Sequence, residues 1–140
     1  MKIDLDYIKE ILAYCIESEK PFFSLGELIK NVGSKCLDET FIFHYSLLIE
    51  NNLVNRWNLK TGSLDYMGIL RHDHGPSCSN IDIRLTQSGH DFSCALNKKE
   101  VFDKLKTEFK DAPFKVIFEG SQKLLQHFAK KKLDSILKED

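Results

Sequence analysis

The chain has 140 residues, of which 42% are hydrophobic and 29% are charged, and its formal net charge is −1. That length suits one domain with a sizeable core, or a small domain with a helical appendage, and it excludes two full-sized enzyme domains. The near-zero charge argues against non-specific capture by nucleic acid or acidic membranes, because that attraction grows with the number of basic groups that meet phosphates.

The first residues and the cysteines bear on the compartment. Two acids stand within the first six residues, where a signal peptide would need an apolar run, and no segment approaches the roughly 18 apolar residues of a membrane span. We therefore expect a cytoplasmic protein without a membrane partner. Its four cysteines, Cys15, Cys36, Cys78 and Cys94, are then expected to be free thiols rather than a disulfide framework.

Three helices with recognisable caps are predicted in the first part of the chain. Apolar residues recur at spacings of three and four between residues 5 and 16, and Asp4 is their predicted N-cap. Residues 24–27, Ser-Leu-Gly-Glu, form a capping box in front of a short second helix. Asp38 is the predicted cap of a third helix, which ends at residues 51–52.

A long hairpin is predicted after the third helix. Ile81, Ile83 and Leu85 alternate with polar residues, as in a strand with one wet face, while residues 53–57 make a less regular partner. The segment 58–80 between them is rich in Gly, Ser and Asn, and it predicts a wing or a wing with extra strands.

Three more helices are predicted in the last part of the chain. Thr86 is the predicted N-cap of a fourth helix that reaches about residue 96. A fifth helix has one apolar face, and residues 111–113 break it. A last helix follows from near residue 113 to residue 137; its basic edge is interpreted as a solvated face and comprises Lys123, Lys130, Lys131, Lys132 and Lys138.

This order of helix, strand, long hairpin, strand and helix is typical of a winged helix. The predicted fold is α+β and mostly helical. We expect a winged-helix domain over residues 1–96, with a three-helix core and a β-hairpin wing. A C-terminal helical pair, residues 97–140, is expected to pack on it as an extension.

Three segments also carry a resemblance. They are residues 1–12, residues 47–54 and, most specifically, residues 85–92, Leu-Thr-Gln-Ser-Gly-His-Asp-Phe. In these segments the chain resembles a family of small bacterial and phage proteins that is defined as a domain of unknown function. The resemblance spans most of the chain. It implies a winged-helix core and an association with phage or mobile elements, and it implies no activity.

The third helix is the element that would enter the major groove in a helix-turn-helix reader of DNA. Between residues 36 and 55 the chain has three acidic side chains and no Lys or Arg. The helix therefore lacks the usual phosphate anchors and guanine readers. On a helical wheel its core face is Phe41, Ile42, Tyr45, Leu48 and Ile49, and its outer face is Glu39, Phe43, Ser46, Leu47 and Glu50.

The outer face of this helix predicts a contact with protein. Phe43 and Leu47 are one turn apart on a face that should be solvated, and Glu50 follows them. Contiguous exposed apolar groups usually mark an interface, so a cover is expected. The C-terminal helices, a second copy of the chain and a partner protein are all open as covers. We take Phe43, Leu47 and Glu50 as candidate contacts to a protein partner or homodimer.

DNA binding through the wing is the alternative. The cations available for it lie outside the third helix, and a protein similar to a transcription regulator could use them from the wing and from the segment before the helix. These possible DNA contacts are Lys30, Lys35, Arg56, Lys60 and Arg71.

No group of residues predicts catalysis, a metal or a cofactor. Ser88, His90 and Asp91 are neighbours on one helix, point in different directions and cannot align as a catalytic triad. The sequence therefore predicts a non-enzymatic binding module that acts through protein–protein contacts. Metal-ligand residue types occur at His72, His74, Cys78, His90 and Cys94, but their spacing matches no closed zinc site.

Overall fold

The computed structural model describes residues 1–138, in which helices and short antiparallel sheets form an α+β, mostly helical architecture, as predicted. Within these residues there are six α-helices and five strands. In chain order they are α1 (Leu5–Glu17), β1 (Phe23–Ser24), α2 (Leu25–Asn31), α3 (Glu39–Glu50), β2 (Val54–Arg56), β3 (Ile69–His72), β4 (Gly75–Cys78), β5 (Asp82–Leu85), α4 (Gln87–Leu96), α5 (Lys99–Glu108) and α6 (Phe114–Lys138).

The chain divides into two compact units, one from Met1 to His90 and one that begins at Asp91. This division falls inside α4, whereas the sequence places the domain boundary after residue 96. The boundary at 96 and the packing of residues 97–140 stay predictions, and residues 139–140 of that range lie outside the described residues. No helix within residues 1–138 has both the length and the apolar character that crossing a membrane requires.

The four predicted N-caps are confirmed. The side-chain oxygens of Asp4, Ser24, Asp38 and Thr86 each accept a hydrogen bond from the backbone N–H three residues later, at 2.9 to 3.3 Å. A helix start leaves its first N–H groups without an intrahelical acceptor, and these side chains supply one. Short-range sequence signals therefore set where these four helices begin.

Strand β5 lies at the centre of a three-stranded antiparallel sheet in the order β1-β5-β2. Ile83 pairs with Phe23 on one side and with Arg56 on the other, and Leu85 pairs with Val54. Ile83 and Leu85 are buried, as their alternation with polar residues predicts. Strand β1 was not predicted, since a strand of two residues has no periodicity to read.

The motif Leu-Thr-x-x-Gly at residues 85–89 joins the sheet to α4. The Thr86 backbone N–H donates to the Leu53 carbonyl at 3.0 Å, and its hydroxyl donates to the Asn52 carbonyl at 2.7 Å. A Cβ on Gly89 would lie 2.2 Å from the Leu53 oxygen. Only glycine allows this close approach of α4 to the end of α3, so the motif has a structural role.

The second unit has an aromatic core. The ring of Phe92 lies edge-on to those of Phe114 and Phe118, with centroids 5.6 and 5.4 Å away. A Cβ on Gly120 would lie 3.1 Å from the Phe109 ring, so this glycine lets the ring lie against α6. Helix α6 passes through Gly120 without interruption.

The buried side of α3 differs in part from the predicted core face. Phe41, Tyr45 and Leu48 are buried as expected, whereas Ile42 and Ile49 are only half-buried. Their place is taken by a histidine, His44, which is 1% exposed.

Both ring nitrogens of His44 have partners, which explains why a polar side chain can be buried there. Nε2 accepts a hydrogen bond from the Asp4 backbone N–H at 2.9 Å. Nδ1 lies 2.8 Å from the Thr40 carbonyl oxygen and must therefore carry the proton. The wheel could not foresee this, because the Asp4 donor comes from a segment distant in sequence.

Candidate partner-binding groove

A groove of about 680 Å³ opens beside α3 in the first unit. Its volume lies within the range of clefts that bind small molecules. One wall is formed by Glu39, Ile42 and Phe43 in the first turns of α3, and the other is the hairpin β3–β4. The lining residues are Met1, Glu39, Ile42, Phe43, Leu64, Asp65, Ile69, Leu70, Arg71, His72, Asp73, Gly75 and Pro76.

The hairpin lies within segment 58–80, whose conformation the sequence left open. Strands β3 and β4 pair antiparallel, with His72 opposite Gly75, and the turn between them contains only Asp73 and His74. Gly75 has φ +118, a conformation that favours glycine. The structure thus has the extra strands that were one of the two alternatives for this segment.

The start of β3 is held against α3 by a buried hydrogen bond. The Tyr45 hydroxyl donates to the Met67 carbonyl at 2.7 Å, and Met67 itself is fully buried. Burial raises the pKa of Tyr45, which keeps its hydroxyl protonated as a donor. At the next residue, Gly68 has φ +97 and a Cβ there would lie 2.5 Å from Leu25 Cδ2. The chain can turn into β3 here only because residue 68 is glycine.

The groove is apolar inside and mostly acidic at its rim. Its deeper side chains, Ile42, Phe43, Leu64, Ile69 and Leu70, are buried or half-buried. The charged side chains on its lining are exposed, and the three carboxylates outnumber the single guanidinium. These are Glu39, Asp65, Asp73 and Arg71.

Among the predicted partner contacts, Phe43 lies on the groove wall. Its side chain is half-buried, with its ring edge-on to that of His44 at 5.1 Å. Leu47, one turn further along α3, is also half-buried, and Glu50 is exposed. Neither of these two lines the groove. Phe43 and Leu47 are thus each partly shielded, and their role as partner contacts stays a prediction.

Two of the predicted DNA contacts, Arg56 at the end of β2 and Lys60, lie at the two ends of one turn. The Arg56 backbone N–H donates to the Lys60 carbonyl at 2.9 Å. The Arg56 guanidinium lies over the Tyr66 ring, 4.7 Å from its centroid, and its Nε is buried without a hydrogen-bond partner. Arg56 thus packs within its own unit, whereas the Lys60 side chain is exposed.

The other three predicted DNA contacts lie on separate elements. Lys30 is exposed in the last turn of α2, and Lys35 is exposed in the following turn with φ +63. Arg71 lies on β3 and lines the groove together with Phe43. The structure therefore brings one predicted DNA contact and one predicted protein contact to the same groove.

The residue types that could suggest a metal are otherwise engaged or dispersed. His72 Nε2 lies 2.8 Å from the Ser77 hydroxyl across the hairpin. Burial raises the pKa of the Cys78 thiol, which is the opposite of what a reactive thiolate needs. Within residues 1–138, no three His, Cys, Asp or Glu side chains converge as metal ligands.

Sequence reasoning missed Leu64, Asp65 and Leu70 as lining residues. They lie in a segment without helical or strand periodicity, so no sequence signal placed them beside α3. No protein-family model, curated protein or solved structure matches the chain. The resemblance to small bacterial and phage proteins stays a prediction.

Proposed function

We propose that this protein is a non-enzymatic winged-helix binding module of phage or mobile-element character, which acts in the cytoplasm through protein–protein contacts. The observation that carries the proposal is the groove beside α3, with Phe43 on its wall and an apolar interior. Grooves of this kind gain binding energy by removing apolar surface from water. The phage association derives from the resemblance of residues 85–92 and two other segments.

The order of elements supports a winged helix. Helices α1, α2 and α3 precede the antiparallel strands β2 and β5, and β1 pairs with the far edge of β5. In this assignment β2 and β5 are the strands of the wing, and the hairpin β3–β4 is an insertion between them. The insertion, rather than the wing itself, forms one wall of the groove.

Charge supports a protein partner over DNA. Helix α3 would be the recognition helix, and its exposed Glu39 and Glu50 would face the phosphates of a duplex. The groove rim beside it is also mostly acidic. Bringing these carboxylates towards a polyanion is unfavourable, and α3 contains no Lys or Arg to offset the repulsion.

The proposal is tested by Phe43→Glu, with Phe22→Glu as the matched control. Both variants place a carboxylate where an aromatic ring stood, but Phe22 is outside the groove and 36% exposed. We expect only Phe43→Glu to weaken self-association, measured by sedimentation, or the affinity for a partner identified by crosslinking. The melting temperature of each variant reports whether its fold is intact.

A second candidate, DNA binding, has the exposed lysines Lys30, Lys35 and Lys60 in its favour. Titration with a short random-sequence duplex at low and high salt distinguishes the two functions. Phosphate contacts give an affinity that falls steeply with salt. Such a slope, unchanged in Phe43→Glu, would contradict the protein-contact proposal.

A further inference from the structure

We propose that the groove takes an extended peptide segment of a partner protein, which adds as a strand to the outer edge of β3 and carries apolar and basic side chains. This inference depends on the proposed protein-binding function and specifies the chemistry of the partner. It follows from the edge of β3, from the course of the groove along that edge and from the charges at the rim.

The pairing register shows which way the backbone of β3 points. Arg71 pairs with Pro76, which has no N–H, so this must be a pair without mutual hydrogen bonds. Consequently the N–H and C=O of Arg71 point away from β4. The same alternation holds at the start of the strand, because the Ile69 N–H points outward and donates to the Leu64 carbonyl at 2.9 Å.

This outer edge has room for another strand at Arg71, whereas at Ile69 it is already occupied by the Leu64 carbonyl. Among residues 1–138, β4 is the strand that pairs with β3, and β3 has no second neighbour. The outward N–H and C=O of Arg71 are oriented to exchange hydrogen bonds with an extended chain, as in recognition by strand addition. By contrast, the outer edge of β4 is blunted by Pro76, which offers no N–H there.

The groove runs along the edge of β3. Five consecutive residues, 69–73, line it, although successive side chains of a strand point to opposite faces. A cleft on one face of the hairpin would touch only every second residue. Gly75 and Pro76 of β4 line the groove as well, so it reaches the edge of β3 at Arg71 and also extends over the hairpin. A strand bound at this edge would lie beside Glu39, Ile42 and Phe43 of α3.

The lining selects the side chains of the bound strand. Alternate residues of an extended peptide would meet the apolar interior, formed by Ile42, Phe43 and Leu70. The residues between them would approach the rim, where Glu39, Asp65 and Asp73 outnumber Arg71. Electrostatic complementarity thus favours a segment that alternates apolar residues with Lys or Arg.

The test uses the full chain and three fluorescein-labelled peptides of about eight residues, a typical strand length or slightly more. One alternates valine and lysine, one alternates valine and glutamate, and one is the valine–lysine peptide with alternate backbone nitrogens methylated. By fluorescence anisotropy we expect the valine–lysine peptide to bind. The acidic peptide should bind at least about tenfold more weakly because of the rim carboxylates. The methylated peptide should lose about tenfold because it lacks donors for the strand pairing.

A pair of variants tests the backbone contact from the side of the protein. Arg71→Pro removes the outward N–H, at an edge position where strands tolerate proline. Arg71→Ala is the matched control, because it removes the guanidinium and keeps the N–H. We expect Arg71→Pro to weaken binding of the valine–lysine peptide by about tenfold relative to Arg71→Ala. In the wild type, the peptide should also slow hydrogen exchange of the Arg71 amide.

The outcomes separate this inference from the proposed function. Equal binding of the methylated peptide, tighter binding of the acidic peptide, or no binding of any peptide at about 1 mM would overturn strand addition. In each case the effect of Phe43→Glu on self-association or on the affinity for a protein partner can still be measured. If that effect is present, the proposed function stands. If Phe43→Glu changes no protein contact and the salt-dependent duplex complex forms, the proposed function itself fails.

Discussion

Phe43 of α3 and Arg71 of β3 line the same groove, although they come from different elements and predict opposite partners. An apolar ring suits a protein, and a guanidinium suits a phosphate. Their common location means that one substitution can distinguish the two functions by the sign of its effect.

That substitution is Arg71→Glu. If a basic peptide binds the groove, the new carboxylate adds to the three already on the lining, and affinity for the valine–lysine peptide should rise by about two- to fivefold. If the wing binds DNA, the same change removes a phosphate contact and should weaken a duplex complex. Anisotropy with both probes, at matched salt, measures the two effects. Lys9→Glu on α1, outside the groove, is the charge-matched control and should leave the peptide affinity unchanged.

The Tyr45 hydroxyl should contribute to stability through the buried Met67 carbonyl. Tyr45→Phe leaves that carbonyl without its partner, and we expect the free energy of unfolding to fall by about 1–3 kcal/mol. Urea denaturation followed by circular dichroism measures the loss. The control, Tyr66→Phe, removes an exposed hydroxyl and should change the free energy by less than about 0.5 kcal/mol. Equal effects of the two variants would show that the bond to Met67 does not stabilise the fold.

Asp38 should stabilise the protein near neutral pH, and this stabilisation should be lost in acid. Its hydrogen bonds from the Ser34 hydroxyl and from the Phe41 N–H lower its pKa in the folded state. Its contribution is therefore present above the pKa of the unfolded chain, and it is lost as the pH falls through the lower folded pKa. Between about pH 5 and about pH 2, the melting temperature of the wild type should fall more than that of Asp38→Asn, which keeps the cap without the charge. Parallel curves for the two proteins would contradict this role.

Gly89 should tolerate no side chain. In Gly89→Ala the new Cβ would lie 2.2 Å from the Leu53 carbonyl oxygen, a backbone atom that moves only if α4 or the end of α3 shifts. We expect destabilisation of about 1–3 kcal/mol or more. Ser88→Ala, at an exposed neighbouring position, is the control and should remain within about 0.5 kcal/mol of the wild type. Urea midpoints decide the comparison, and an unchanged midpoint for Gly89→Ala would refute the close approach.

Several features of this protein follow from the sequence alone because their causes are local. The four caps at Asp4, Ser24, Asp38 and Thr86 depend on a side chain and an N–H three residues apart. The alternation around Ile83 depends only on the two-residue period of a strand. Such signals lie within a few residues of each other in the sequence, so they determined the mostly helical α+β architecture and the starts of these four helices.

The groove was decided by tertiary structure. Its hairpin reaches α3 through the hydrogen bond from Tyr45 to Met67, between residues that no periodicity connects. The burial of His44 likewise depends on a donor at Asp4, and β1 exists only through its pairing with β5. Contacts between distant residues form only when the whole core packs. The local pattern therefore identified Phe43 as a candidate contact residue. Only the folded chain placed the hairpin β3–β4 opposite it as the other wall of the groove.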